Sequence, residues 1–200
     1  MTKIKLCGLS HLEDIETANE LCPEYVGFVF AKESRRYVTP AQAEKFRAVL
    51  SKKILAVGVF VNENLATVSE LLNAGIIDAA QLHGNEDADY IRRLRALTTK
   101  PIIKAFRADN FAAAKDNTAD FILIDAGAGD GKTFDWHILE NFKRDYFLAG
   151  GLNAENVSAA IKLLKPFAVD VSSGIETNGR KDAAKMREFV LAVRGELHDE

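Results

Sequence analysis

The sequence predicts an α/β fold, a single-domain (β/α)8 TIM barrel over residues 1–200, and three observations predict it. Short apolar runs recur along the whole chain, helical spacing fills the stretches between them, and the runs number eight. Strands that are apolar throughout are buried on both faces, as in a parallel sheet covered by helices. Eight such units close into a ring, with about 25 residues for each. The usual barrel takes about 250 residues, so this one must be compact, with short loops. A doubly wound open sheet is the structural alternative for the same alternation.

Taken in order, the first run is IKLC, ending on Cys7 before a glycine. YVGFVF is the second. Thr39-Pro40 ahead of AQAEKFRAVL then marks a helix start, with Thr as N-cap and Pro in the first turn. ILAVGVFV, IDAAQLHG, PIIKAF and FILID follow as runs three to six, YFLAG and FAVDVSS as seven and eight. After LAGG, Val157, Ala160, Ile161 and Leu164 recur at three- and four-residue steps, and Asn153 is placed to cap that helix. The last helix opens on Asp182 and trails into a polar HDE tail. No linker or low-complexity tract divides the chain. His11 and His137 fall at early helical positions and receive no role.

Composition bounds the function. With 48% hydrophobic and 28% charged residues, the chain can bury a core without disulfides or metals. A net charge of −3 with scattered Lys and Arg excludes a nucleic-acid arm. Two cysteines, Cys7 and Cys22, make neither a disulfide framework nor a metal-ligand spacing. Reduced thiols and a cytoplasmic setting are the expectation. MTKIKLCG lacks the apolar stretch of a signal peptide, and no run is long enough for a membrane span. There is no Ser-His-Asp arrangement, GxGxxG or Walker loop, and metal ligands do not cluster, so neither cofactor nor metal is expected.

In a (β/α)8 barrel the active site lies at the C-terminal strand ends, in the βα loops. Gly150 and Gly151 end the seventh strand, and Ser172, Ser173 and Gly174 follow the eighth. Loops seven and eight commonly hold a phosphate, through backbone N–H groups and hydroxyls. Asp125 ends FILID and either caps the next segment or faces the site. Gly127, Gly129 and Gly131 after it predict a loop able to close over a ligand. Arg36 can pair with a carboxylate bidentately, with Arg35 as its competitor. Gln81 and His83 end the fourth strand, and Asp170 lies within the eighth, where it would bond a ligand hydroxyl or a neighbouring loop. Cys7 fits either a buried core position or a base at the rim. A thiol, a carboxylic acid, an arginine and a phosphate cradle suit cofactor-free acid–base chemistry on a phosphorylated small molecule.

KLCGL, SRRYV, QLHG, a strand-ending aspartate followed by GKTFDW, AGGLNAENV and DVSSGIE stand in that order over nearly the whole chain. Together they resemble the phosphoribosylanthranilate isomerase family of tryptophan biosynthesis. The resemblance implies an Amadori rearrangement of N-(5-phosphoribosyl)anthranilate to 1-(2-carboxyphenylamino)-1-deoxyribulose 5-phosphate, by an aldose–ketose isomerase without cofactor or metal. It implies Asp125 as general acid, Cys7 as general base and Arg36 on the anthranilate carboxylate. Gly151, Ser172, Ser173 and Gly174 fall at the phosphate end, and Asp170 near the ribose or anthranilate. The chemistry calls for a modest lowering of the Cys7 pKa and a raised one at Asp125. Family members occur as monomers, dimers and fusions, so a monomer or homodimer is expected, with no nucleic-acid or membrane partner. The chain departs from the family at Arg35, where Pro is usual, and at Ala128 to Gly131, where Asp130 adds a carboxylate. The rival readings are indole-glycerol-phosphate synthase, which needs strand-end lysines where only Lys104 is available, and a non-catalytic sugar-phosphate binding barrel.

Overall fold

The computed structural model describes residues 1–115, 117–125, 136–139, 142 and 144–195. Gly127 to Gly131, which are expected to form a closing loop, lie outside the described residues.

All eight apolar runs form strands: β1 (Lys3–Cys7), β2 (Tyr25–Val29), β3 (Leu55–Phe60), β4 (Ala79–Leu82), β5 (Ile102–Arg107), β6 (Phe121–Asp125), β7 (Tyr146–Ala149) and β8 (Ala168–Val171). They pair in chain order, all parallel, and β8 returns to β1. The ring is closed, which eliminates the open sheet.

Among the described residues six α-helices cover it: α1 (Leu12–Leu21), α2 (Pro40–Val49), α3 (Leu65–Asn73), α4 (Ala88–Arg95), α5 (Val157–Leu164) and α6 (Ala183–Gly195). After β5 and β6 the described connections are short 3-10 segments, Ala108–Ala114 and Trp136–Leu139. Asn110, at φ −123° and ψ 24°, breaks helical geometry in the first of them. No helix among the described residues is long and apolar enough to cross a membrane.

Local chemistry explains the helix starts. Thr39 accepts a hydrogen bond from the Gln42 amide, and Gln42 Oε1 accepts from the Thr39 amide, a reciprocal capping box with Pro40 in the first turn. Asp182 Oδ1 accepts from the amides of Ala184 and Lys185 at the start of α6. Asn153 caps the turn that leads into α5, as expected: its Oδ1 accepts from the Glu155 and Asn156 amides and its carbonyl from the Val157 amide, and regular helix begins at Val157. A two-stranded hairpin unforeseen in the sequence, β9 (Glu176–Thr177) with β10 (Arg180–Lys181), follows the eighth strand. Its turn, Asn178-Gly179, has φ of +53° and +80° at the two residues, the left-handed pair that suits a two-residue hairpin.

Strand period two sorts the side chains. Ile4, Leu6, Val26, Phe28 and Phe60 join the core between sheet and helices. Tyr25, Val57, Ile103, Leu123 and Phe147 fill the barrel interior. One layer nearer the C-terminal rim sit Cys7, Val29 and Val59. The interior also takes a charge pair. Lys5 is fully buried, faces Asp170 in the β1–β8 register, and bonds both its carboxylate oxygens at 3.0 Å.

Candidate active site

A cavity of about 470 Å³ opens at the C-terminal ends of the strands, within the range of small-molecule sites. It is lined by Cys7, Arg36, Gln81, His83, Asp125, Gly150, Gly151, Asp170, Ser172 and Ser173, among others. One property unites these residues: each stands in the C-terminal half of a strand or in the loop that follows it, where the inward alternation meets solvent. Gly174 is the exception among the residues singled out in the sequence. A Cβ there would lie 1.9 Å from the Leu152 carbonyl oxygen, so this glycine packs loop eight against loop seven instead of lining the cavity.

Cys7 is buried yet borders the cavity. It pairs with Gly27 in the β1–β2 register, and a Cβ at Gly27 would lie 2.6 Å from the sulfur, so the thiol occupies the space that glycine leaves. The expected lowering of its pKa is not what the site provides. Burial pushes the thiol up, and although the charge of Lys5 opposes this, Asp170 adds to it and the net direction is upward. Lys5 answers in the other direction. Burial works against its charge, but Asp170 and the nearby sulfur outweigh burial and hold the ammonium more firmly protonated than usual.

Asp125 ends β6 facing the cavity, with 31% of its side chain exposed, and its Oδ2 lies 3.5 Å from His83 Nε2. The side-chain nitrogen of Gln81 lies 2.8 Å from His83 Nδ1. Where the Gln81 amide donates, the imidazole is left with its Nε2 proton toward Asp125. Gln81, buried, thus orients His83 against the acid. The Gln81 carbonyl oxygen is buried and has no hydrogen-bond partner among the described residues.

Asp170, expected to bind a ligand or a loop, gives both oxygens to Lys5 while still bordering the cavity. Ser172 is likewise engaged. Its hydroxyl donates to the Cys7 carbonyl at 3.2 Å and accepts from Lys181 at 3.3 Å, so its single proton is used within the protein. Ser173 beside it is exposed and starts a 3-10 turn. Gly150 and Gly151, at φ of +93° and +68°, turn the chain after β7 as only glycine does easily.

Of the two arginines, Arg36 lines the cavity with 23% of its side chain exposed, while Arg35 is 59% exposed and is absent from the lining. Both bind Glu176, which the sequence reading left without a role, as does Lys181. Lys104, the candidate strand-end lysine of the rival synthase reading, is tied instead to the carbonyls of Leu82 and Gly84 and to Glu86 at 3.1 Å. It serves the wall and not the cavity.

The family model for N-(5′-phosphoribosyl)anthranilate isomerase matches residues 4–192. A relative of that name from Endomicrobium trichonymphae is 44% identical over 97% of this chain and 99% of its own. The crystal structure of phosphoribosyl anthranilate isomerase from Thermotoga maritima has a TM-score of 0.89 and 36% identity, covering 98% of this chain and all of that one. Another crystal structure of such an isomerase, in complex with reduced 1-(o-carboxyphenylamino)-1-deoxyribulose 5-phosphate, has a TM-score of 0.88 and 35% identity, over 98% of this chain.

Proposed function

This chain belongs to the N-(5′-phosphoribosyl)anthranilate isomerase family, and from that premise we propose how its cavity works. The chain is an isomerase of tryptophan biosynthesis, converting N-(5′-phosphoribosyl)anthranilate to 1-(2-carboxyphenylamino)-1-deoxyribulose 5-phosphate. The observation that carries the site assignment is that Cys7 on β1 and Asp125 on β6, three strands apart round the ring, border one cavity with Arg36 and the two glycine-rich strand ends.

Asp125 gives its proton to the furanose ring oxygen. The C1′–O bond breaks, the anthranilate nitrogen contributes its lone pair, and an iminium forms. Cys7 as thiolate then takes the C2′ proton, the C–H electrons become the C1′–C2′ double bond, and the iminium is neutralised to an enolamine. Tautomerisation of the enolamine gives the ketone, so the reaction is a net isomerisation. Each positioned acid or base is typically worth about 10²- to 10⁴-fold.

The raised Cys7 pKa makes the base conditional. The thiol holds its proton near neutrality until a positive charge arrives, and the developing iminium supplies one beside Lys5 and Lys181, whose charges already favour thiolate. The thiol proton passes to solvent through the open mouth of the cavity, and thiolate thus forms where an acidified C–H stands ready.

Arg36 holds the anthranilate carboxylate, with Gln81 and His83 on the ribose side and Asp170 beneath. The phosphate lies against Gly150, Gly151 and Ser173, held by backbone amides and the Ser173 hydroxyl. Ser172 and Gly174 shape that loop by their contacts with Cys7 and Leu152. The protein works in the cytoplasm, as one domain over residues 1–200 and as a monomer or homodimer.

Complementation tests the reading. The gene should restore growth without tryptophan to a strain lacking this isomerase, and Cys7→Ala should abolish the rescue. Growth with Cys7→Ala would remove the thiol from the mechanism.

A further inference from the structure

Glu176 is among the best-connected carboxylates in the described structure, and the proposed reaction does not use it. Its side chain is 5% exposed. Arg36 Nε donates to its Oε1 at 2.6 Å and Arg36 Nη2 to its Oε2 at 3.1 Å. Arg35 Nη2 reaches Oε2 at 2.5 Å, and Lys181 Nζ reaches Oε1 at 2.8 Å. Lys181 also donates to the Ser172 carbonyl at 2.9 Å, fastening the hairpin to the end of β8.

A guanidinium has five N–H donors in a fixed plane, enough for two carboxylates on different edges. Glu176 takes the edge made by Nε and Nη2. The two protons on Nη1 and the second on Nη2 form another edge, and Arg36 lines the cavity. We propose that Glu176 is a positioning residue: it grips Arg36 by one edge so that the other is presented to the anthranilate carboxylate, and it thereby sets the enzyme's preference for carboxylated substrates. This rests on Arg36 being the carboxylate anchor.

The surroundings converge on the same side chain. Gly8, at φ +78°, leaves the path of the arginine open, since a Cβ there would stand 2.4 Å from Arg36 Cδ. Lys181 lies opposite Glu176 in the β9–β10 register, so the hairpin delivers both members of the pair together. An arginine held in this way loses less freedom when substrate binds than one free in a loop. Against this stands simple repulsion between Glu176 and an incoming carboxylate. Three cations surround the one anion, so the cluster remains positive and geometry prevails over repulsion.

The two effects have opposite signs, which makes the test decisive. The probes are reduced 1-(o-carboxyphenylamino)-1-deoxyribulose 5-phosphate and the same molecule without its carboxylate. Dissociation constants are measured for both on the unaltered enzyme, Glu176→Gln, Arg36→Ala and the double variant. Glu176→Gln should weaken the carboxylated probe by about 10-fold or more, the scale of a charged hydrogen bond, and leave the other probe nearly unchanged. On top of Arg36→Ala it should change neither. Glu176→Asp keeps the charge that Lys181 needs but draws the fork back, and should show the same selective loss in a fold that is secure. Tighter binding of the carboxylated probe, equal loss of both probes, or additive losses would overturn the proposal. If Arg36→Ala leaves the carboxylated probe's affinity unchanged, the anchor assignment itself fails, and that result is separable from the others.

Discussion

At Cys7 the neighbouring backbone yields to the sulfur, because only glycine at position 27 leaves room for it. A thiol placed this tightly is ready to meet a sugar carbon and poorly placed to carry a charge. Cys7→Ser should lower kcat by about 10²- to 10⁴-fold with KM little altered, and steady-state kinetics decides this; near-normal turnover would return Cys7 to the core. Asp125→Asn should lose kcat in the same way. The pKa direction adds a second check. Because burial raises the Cys7 value, alkylation of Cys7 by iodoacetamide, followed by mass spectrometry, should show its midpoint above the ordinary thiol value of about 8.5. kcat/KM should climb with pH over the same range as the thiolate fraction grows. The residue type and the strand-end place of Cys7 were legible in the sequence. The direction of its pKa was not, since desolvation depends on the layers of Val29 and Val59 packed around it.

Elements here carry the functional side chains by their ends. The capping box of α2 is one example, and Thr39→Ala should cost about 1 kcal/mol of stability in a thermal or urea melt. The β9–β10 hairpin is another, and its ion cluster titrates. Burial works against the Glu176 charge, but hydrogen bonds from Arg36 and Lys181 outweigh it and hold the carboxyl below the usual range. A group with a depressed folded pKa contributes its stability in full above the unfolded value, about 4.3 for Glu, and loses it as pH falls through the folded one. Glu176→Gln should therefore flatten the acid side of the melting temperature plotted against pH. The hairpin had a signal in Asn178-Gly179, but two-residue strands carry too little alternation to be read as strands. The described 3-10 turns after β5 and β6 were also hidden, because apolar spacing reports which face is covered and not whether the cover completes an α-turn.

For the molecule as a whole, closure of the ring places a buried cation and anion between the first and last strands. Lys5→Met should destabilise by about 3–5 kcal/mol, the cost of leaving a buried charge unpaired, and Lys5→Met with Asp170→Leu should recover most of it. Urea unfolding of the two variants measures both effects. Lys5 was readable as a charged residue inside an apolar run, yet its partner is 165 residues away and follows only from the β1–β8 register.

The eight runs, and the places of Cys7 and Asp125 at their ends and of Arg36 in the loop after the second, are local properties, written in apolar runs and the turns between them, and the sequence by itself determined them. Electrostatics inside the cavity was decided only by the tertiary structure. Which carboxylate Arg36 grips, what shares the Asp170 oxygens and which way the Cys7 proton leans all depend on residues brought within a few ångströms from opposite ends of the chain. Coulomb energy and desolvation act through distance and burial, and neither quantity exists until the ring has closed.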